Sequence, residues 1–327
     1  MHVPAFDRGA LAWRVARLAG IGLIVVLVIA TVPGLGSLRS RFARAQPGWI
    51  VAACVLQIGS VLSFALAFQR TFADRLAPRS SASLALTAQG VNVLVPAGGT
   101  GGLAVAGVLM SRAGVAPAFA ARRMIALFLI TAVATNVLLL IAGGLGTWSG
   151  ALPGHASWAG SLLPALLAAA LAVAAVSAAT RPRRQRPRPT APAGRVSRLT
   201  RRAAGYLRDG VACTGELVRT RDPLLFLGAA GYIALDLGAL AAAFHALGSG
   251  GLPAGTLLLA YTLGQAGSIV SLPGTTEGGL VGVFALYGAP LALATSAILV
   301  YRAVQSLVPL ALGLIGVAGL RHGPQLR

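Results

Sequence analysis

Pro96-Ala-Gly-Gly-Thr-Gly-Gly-Leu103 and Pro273-Gly-Thr-Thr-Glu-Gly-Gly-Leu280 share the spacing Pro-x-x-x-x-Gly-Gly-Leu, and each interrupts a strongly apolar stretch of the chain. Each copy is followed by arginine in or beside another apolar run, Arg122 and Arg123 after the first and Arg302 after the second. Matched breaks of this kind in two halves of an apolar chain point to a transporter built from related repeats.

Around these motifs the composition fixes the class. With 56% hydrophobic and 10% charged residues in 327, the apolar surface exceeds what one soluble globule can bury, so the chain reads as an all-α, polytopic membrane protein. Its net charge of +20 comes from arginines between apolar runs, where they orient a membrane protein rather than bind nucleic acid. The two cysteines, Cys54 and Cys213, give no disulfide framework or thiolate metal site, and His155 and His245 lack acidic or cysteine neighbours at ligand spacing. No metal and no cofactor is expected.

Met1 to Arg17 precedes an apolar stretch, Leu18 to Val32, without a convincing cleavage pattern, and is read as an uncleaved first span. Further spans are expected near Trp49–Phe68, Met124–Leu145, Ser161–Ala179, Pro223–Leu247 and Leu291–Leu320. The glycine motifs break two more apolar regions, Ala82–Met110 and Leu252–Tyr287. The whole chain, 1–327, reads as one integral membrane domain, with one half at roughly 18–179 and the other at 223–320. Between them Thr180 to Arg208, rich in arginine and proline, reads as a flexible aqueous linker.

Arginine-rich short loops stay cytoplasmic, so this linker sets the topology: N-terminus, linker and C-terminus inside a bacterial plasma membrane. The first arm, Ala82–Val95, measures only about 21 Å as a helix against a hydrocarbon core of about 30 Å, so it enters, turns and returns. About six full spans plus two re-entrant hairpins entering from opposite faces then form an inverted repeat. Eight spans, with each broken segment crossing, is the alternative, and the arginines of Ser37 to Gln46 run against the charge rule locally.

Backbone freed from a helix in hydrocarbon costs several kcal/mol per unsatisfied group, on the order of a lost buried hydrogen bond. Such turns persist only where protein or a wet cavity receives them. Glycine permits close approach and leaves N–H groups open to an anionic headgroup. Pro96, Gly98, Gly99, Thr100, Gly101 and Gly102, with Pro273, Gly274, Thr275, Thr276, Glu277, Gly278 and Gly279, are therefore candidates for a midplane site; the plainer reading of the glycines is helix packing. Glu277 replaces Thr100 in the second copy and puts a carboxylate there, for which Arg302 or Arg123 is the candidate partner. Asp236 is the other acid expected inside a span and competes for Arg302. Gln89, Asn92, Tyr261 and Gln265 either line a polar path or bond between helices.

"LVPAGGTGGLAVAGVLMSRAG" (Leu94–Gly114) and "LPGTTEGGLVGVFALYGAPLALATSAILVYRAVQSLVPLALG" (Leu272–Gly313) resemble the lysylphosphatidylglycerol synthase transmembrane-region family, whose members include the flippase domains of bacterial lysylphosphatidylglycerol synthase/flippases. The resemblance implies that Pro273, Gly274, Glu277, Gly279, Tyr301 and Arg302 line or brace a lipid pathway. The first motif here lacks the acidic residue and arginine common in members that handle lysylphosphatidylglycerol, and no aminoacyl-transferase domain is expected, so the chain is not expected to be an enzyme. The leading reading is a translocase for a phospholipid or polyprenyl-linked lipid. The alternative is a scaffold protein whose partner is an envelope lipid or glycan enzyme.

Overall fold

The computed structural model describes residues 42–94, 100–154, 157–180, 195–248, 252–267, 275–320 and Leu326. The expected first span Leu18–Val32 lies outside the described residues, as do Pro96, Gly98, Gly99, Pro273, Gly274 and the side chains of Thr100, Thr275, Thr276 and Glu277. Among the described residues the chain is helical throughout: α1 Pro47–Thr71, α2 Pro78–Leu94, α3 Thr100–Arg112, α4 Pro117–Trp148, α5 Leu163–Thr180 preceded by a π-turn at Trp158–Leu162, α6 Arg195–Arg219, α7 Pro223–Leu247, α8 Ala254–Gly267, α9 Thr275–Leu286 and α10 Leu291–Gly319. Four of these, α1, α4, α7 and α10, are long and apolar enough to cross a membrane.

Proline punctuates the helix starts. Pro47, Pro117 and Pro223 occupy first-turn positions, where a missing N–H has no intrahelical partner to lose. Asp222 caps α7 by accepting from the Leu224 N–H at 3.0 Å. Gly114 and Gly288 follow α3 and α9 in the left-handed region, at φ 99° and 84°, a conformation that favours glycine. Inside α4, Leu129–Ala134 forms a π-helical segment; Thr135 Oγ1 donates to the Ile130 carbonyl at 2.9 Å and Asn136 Nδ2 to the Ala132 carbonyl at 2.6 Å, meeting backbone acceptors that the widened turn disturbs.

The two broken regions are helical hairpins, α2 with α3 and α8 with α9, whose arms pack on each other. Their arms of 17, 13, 14 and 12 residues reach about 25, 20, 21 and 18 Å. At the centre α1 lies against α7 in the most extensive contact of the bundle. Small residues make that approach close: a Cβ on Gly228 would stand 2.7 Å from the Ala67 nitrogen, and one on Gly231 2.7 Å from Ser63 Oγ. Likewise α2 crosses α10 at Gly90 and Gly313, where a Cβ on either would come within 2.8 Å of the other's Cα.

Exchanging the halves (α1 for α7, α2 and α3 for α8 and α9, α4 for α10) maps one contact onto another: α2·α10 onto α8·α4, α3·α4 onto α9·α10, α1·α2 onto α7·α8. The ends of the bundle differ chemically. One carries arginine: Arg70 pairs with Asp222 at 2.7 Å, Arg123 with Asp74 at 3.1 Å, and the guanidiniums of Arg75, Arg122 and Arg123 lie 5.2–5.4 Å from the Phe119 ring. Leu326 bridges to Leu76 here and touches Gly114, so both ends of the first hairpin lie at this end. The other end is aromatic, with Trp49 stacked on His245 at 4.8 Å and Trp148 and Trp158 exposed. Both ends of the second hairpin lie there: the Gly255 N–H donates to the Pro153 carbonyl at 2.9 Å, and the Tyr287 hydroxyl donates to the Gly160 carbonyl.

One expectation needs correction. The stretch read as flexible linker, Thr180 to Arg208, is helical from Arg195 onward and continues as α6 to Arg219. Its alanines, arginines and leucines are strong helix formers, and the residues that anchor it to α4, Gly210 against Ile125 with buried Cys213 and Leu217, lie beyond Arg208.

Candidate functional site

Asp236 stands in the middle of α7, 5% exposed. Its Oδ2 accepts hydrogen bonds from the Tyr261 hydroxyl of α8 and the Tyr301 hydroxyl of α10, both at 2.7 Å. Gln305 Nε2 donates to the Tyr301 hydroxyl at 2.6 Å and lies 3.3 Å from Asp236 Oδ1. The amide's other face accepts from Arg302 Nη1 at 2.6 Å. Gln57 of α1 also hydrogen-bonds Asp236. One turn earlier on α7, Tyr232 bonds to Gln89 of α2, while Gln265 bonds to Tyr261. Side chains of α1, α8 and α10 thus converge on one carboxylate of α7, and α2 joins the network through Gln89 and Tyr232.

Local sequence explains the convergence. Tyr232 with Asp236, Tyr261 with Gln265 and Tyr301 with Gln305 each stand four residues apart, so each pair occupies one face of its helix. Pro309 sits inside α10; lacking an N–H, it removes the ladder bond to the carbonyl of Gln305 at the turn that presents the network. A carboxylate in hydrocarbon is costly, and hydroxyl and amide donors offset that cost through charge-assisted bonds. The positive charge is close but indirect, joined to Asp236 through the Gln305 amide.

The sequence profile of the lysylphosphatidylglycerol synthase TM region family matches residues 16–313, which include both glycine motifs and every member of this network. The chain belongs to that family. It is a multi-pass membrane protein of the lysylphosphatidylglycerol synthase-related group. Comparison with curated proteins gives no match.

Of the residues singled out from sequence, Gln89, Asp236, Tyr261, Gln265, Tyr301 and Arg302 meet in or beside the network. Asn92 does something else: its Oδ1 accepts from the Gly102 N–H at 2.6 Å and ties the two arms of the first hairpin together. Arg123, considered as a partner for Glu277, instead donates to the Thr71 carbonyl at 2.7 Å and to Asp74 at the arginine end of the bundle. Arg302 and Asp236 are linked through Gln305, not by a direct ion pair in the network described. Gly101 is half-buried, Gly102 buried and Gly279 exposed, while Thr100 and Thr275 begin α3 and α9, so that Thr276, Glu277 and Gly278 fall in the first turn of α9. The Glu277 side chain lies outside the described residues.

Gln57, Tyr232 and Gln305 escaped the sequence reading. Uncharged polar residues in apolar helices commonly bond between helices without further role. The shared spacing of four, on three helices, was the signal that distinguished Tyr232 and Gln305; Gln57 carries no such signal.

Proposed function

We propose that this protein is a lipid translocase of the bacterial inner membrane, handling a phospholipid or polyprenyl-linked lipid at a midplane site between the two glycine-rich hairpins, with no catalytic role. The observation that carries this reading is the buried Asp236–Tyr301–Gln305–Arg302 network, because intramembrane ionisable groups mark substrate and ion paths. Inverted-repeat architecture is supported by the contact pattern that repeats on exchange of halves and by hairpins opening toward opposite ends. Re-entrant arms are supported by lengths short of the core thickness. The arginine end is placed on the cytoplasmic side, with the N-terminus, the 180–208 segment and the C-terminus. Thr100 and Thr275–Gly278 begin helices at the motif, where the positive end of the helix dipole suits a headgroup phosphate, and Glu277 with Arg302 supplies charge beside it.

Asp236→Asn and Glu277→Gln are the tests. Each is close to isosteric and leaves hydrogen-bond acceptors in place. In liposomes holding the lipid class that co-purifies with the wild-type protein, each is expected to slow leaflet exchange about tenfold or more, the factor for about 1.4 kcal/mol, with unchanged elution on size-exclusion chromatography. Wild-type exchange no faster than protein-free liposomes would sink the translocase reading. A scaffold reading draws on the arginine-rich α6 instead; deleting Arg183–Arg202 separates the two, since translocation is expected to survive that deletion and capture of an envelope enzyme is not.

A further inference from the structure

Away from the Asp236 network, a cavity of about 760 Å³ opens between α3, the first half of α4 and α6. Leu103, Val108, Met124 and Phe128 give it an apolar wall, and Arg112 and Tyr206 stand exposed at its edge. Gly107 lines it as well, and a Cβ built there meets no atom within 4 Å. The volume is typical of ligand sites, which run from about 300 to 1,000 Å³.

We infer that this groove holds one acyl chain of an anionic phospholipid, with the headgroup phosphate at Arg112. Its length supports the assignment: from Leu103 to Arg112 the wall runs about 14 Å along α3, about half of the roughly 30 Å hydrocarbon core and so the depth of one leaflet. Arg112 ends α3, at the arginine end of the bundle, where basic side chains attract an anionic leaflet at about 1 kcal/mol each. The third wall has the character of an interfacial helix. α6 buries Cys213 and Leu217 against the bundle but leaves Val211 and Val218 37% and 45% exposed, while Arg208 is exposed as well. Groove and helix together form a lipid-facing notch beside the first hairpin. The inference needs the membrane placement only, not translocation, so it fails or stands separately from the function proposed above.

The test is photolabelling of the full-length protein in nanodiscs, with phosphatidylglycerol or phosphatidylcholine carrying a mid-chain diazirine, read by peptide mass spectrometry. Adducts on α5, where Leu167 and Leu171 are exposed, report lipid that merely surrounds the protein. Phosphatidylglycerol adducts on α3 and α4 are expected to exceed those on α5. Gly107→Phe, which fills open space, is expected to lower the groove adducts about tenfold and leave α5 unchanged, a loss corresponding to about 1.4 kcal/mol. Arg112→Gln, at an exposed position with little bearing on folding, is expected to lower phosphatidylglycerol adducts about fivefold and phosphatidylcholine adducts hardly at all. Equal labelling of groove and α5, insensitive to Gly107→Phe, would show surrounding lipid alone and overturn the site. Equal labelling by the two lipids would overturn the anionic assignment.

Discussion

The two hairpins carry one motif and pack it in two ways. In the first, Gly102 is buried in the neck, where a Cβ would stand 1.8 Å from the Ala88 carbonyl oxygen and 2.8 Å from Asn92 Oδ1. In the second, the matching Gly279 is exposed and a Cβ there meets nothing within 4 Å. Tightness has moved to the opposite arm, where a Cβ on Gly264 would come 2.1 Å from Leu280 Cδ1. The leucines that close the motif, Leu103 and Leu280, are buried in both. Equal spacing in sequence therefore preserves the leucine anchor and leaves the glycines free to diverge. Gly102 became a packing residue, and Gly279 stays open one turn from the start of α9.

Substitution at the paired glycines tests this difference, and the largest effect is expected at Gly102. Gly102→Ala drives a methyl into a backbone carbonyl that cannot rotate away, and a loss of about 3 kcal/mol or more is expected. Gly264→Ala meets the tip of a leucine, which can turn; overpacking of about 1–2 kcal/mol is partly offset by the helix preference for alanine. Gly279→Ala has open space and the same helix preference, so a gain of about 0.5–1 kcal/mol is expected. Thermal unfolding in detergent reads all three. Equal destabilisation at Gly102 and Gly279 would erase the distinction between closed and open necks. If Gly279 also borders the lipid path, its alanine variant will be more stable and slower in leaflet exchange, a combination that packing alone does not produce.

How much of this was legible follows from the period and chemistry of particular residues. The ends of α7 at Pro223 and Leu247 match the expected span, because proline and a sharp loss of apolar residues bound it. α4 begins earlier than the apolar run, at Pro117 rather than Met124, because Arg122 and Arg123 lie half-buried over Phe119 while their backbone is helical. Asp236 and Arg302 stood out as charges in hydrocarbon. Their connection did not, since it runs through Gln305, an amide whose part depends on how α7 and α10 are rotated against each other. The Asn92–Gly102 bond was hidden for the same reason: its partners stand ten residues apart on different arms, and sequence offers no register for the two arms.

Asn92 sharpens the comparison at a smaller scale. Asn92→Ala removes the acceptor for the Gly102 N–H but leaves the Ala88–Gly102 approach intact, so a loss of about 1 kcal/mol is expected, the usual worth of a helix-terminal side-chain bond. Asn92→Asp keeps the acceptor and restores most of the loss at neutral pH. Restoration absent in the aspartate variant would mean that Asn92 acts through its shape and not through this bond.

The smallest expected effect lies outside both hairpins, at the link between the central helices. Burial alone would raise the Asp222 carboxyl, but the hydrogen bond from Arg70, the Leu224 N–H and the Arg70 charge outweigh it and hold the group below its ordinary value. A depressed folded value means that Asp222 favours the folded state above its unfolded value, about 3.9, and that this contribution fades as pH falls through the lower folded value. Asp222→Asn isolates the charge, because asparagine caps a helix as well as aspartate does. At pH 7 the variant is expected to melt on the order of 1 °C lower, as suits a partly exposed ion pair, and the gap is expected to close below about pH 4. A gap that persists in acid would place the effect in the cap and not in the bridge between α1 and α7.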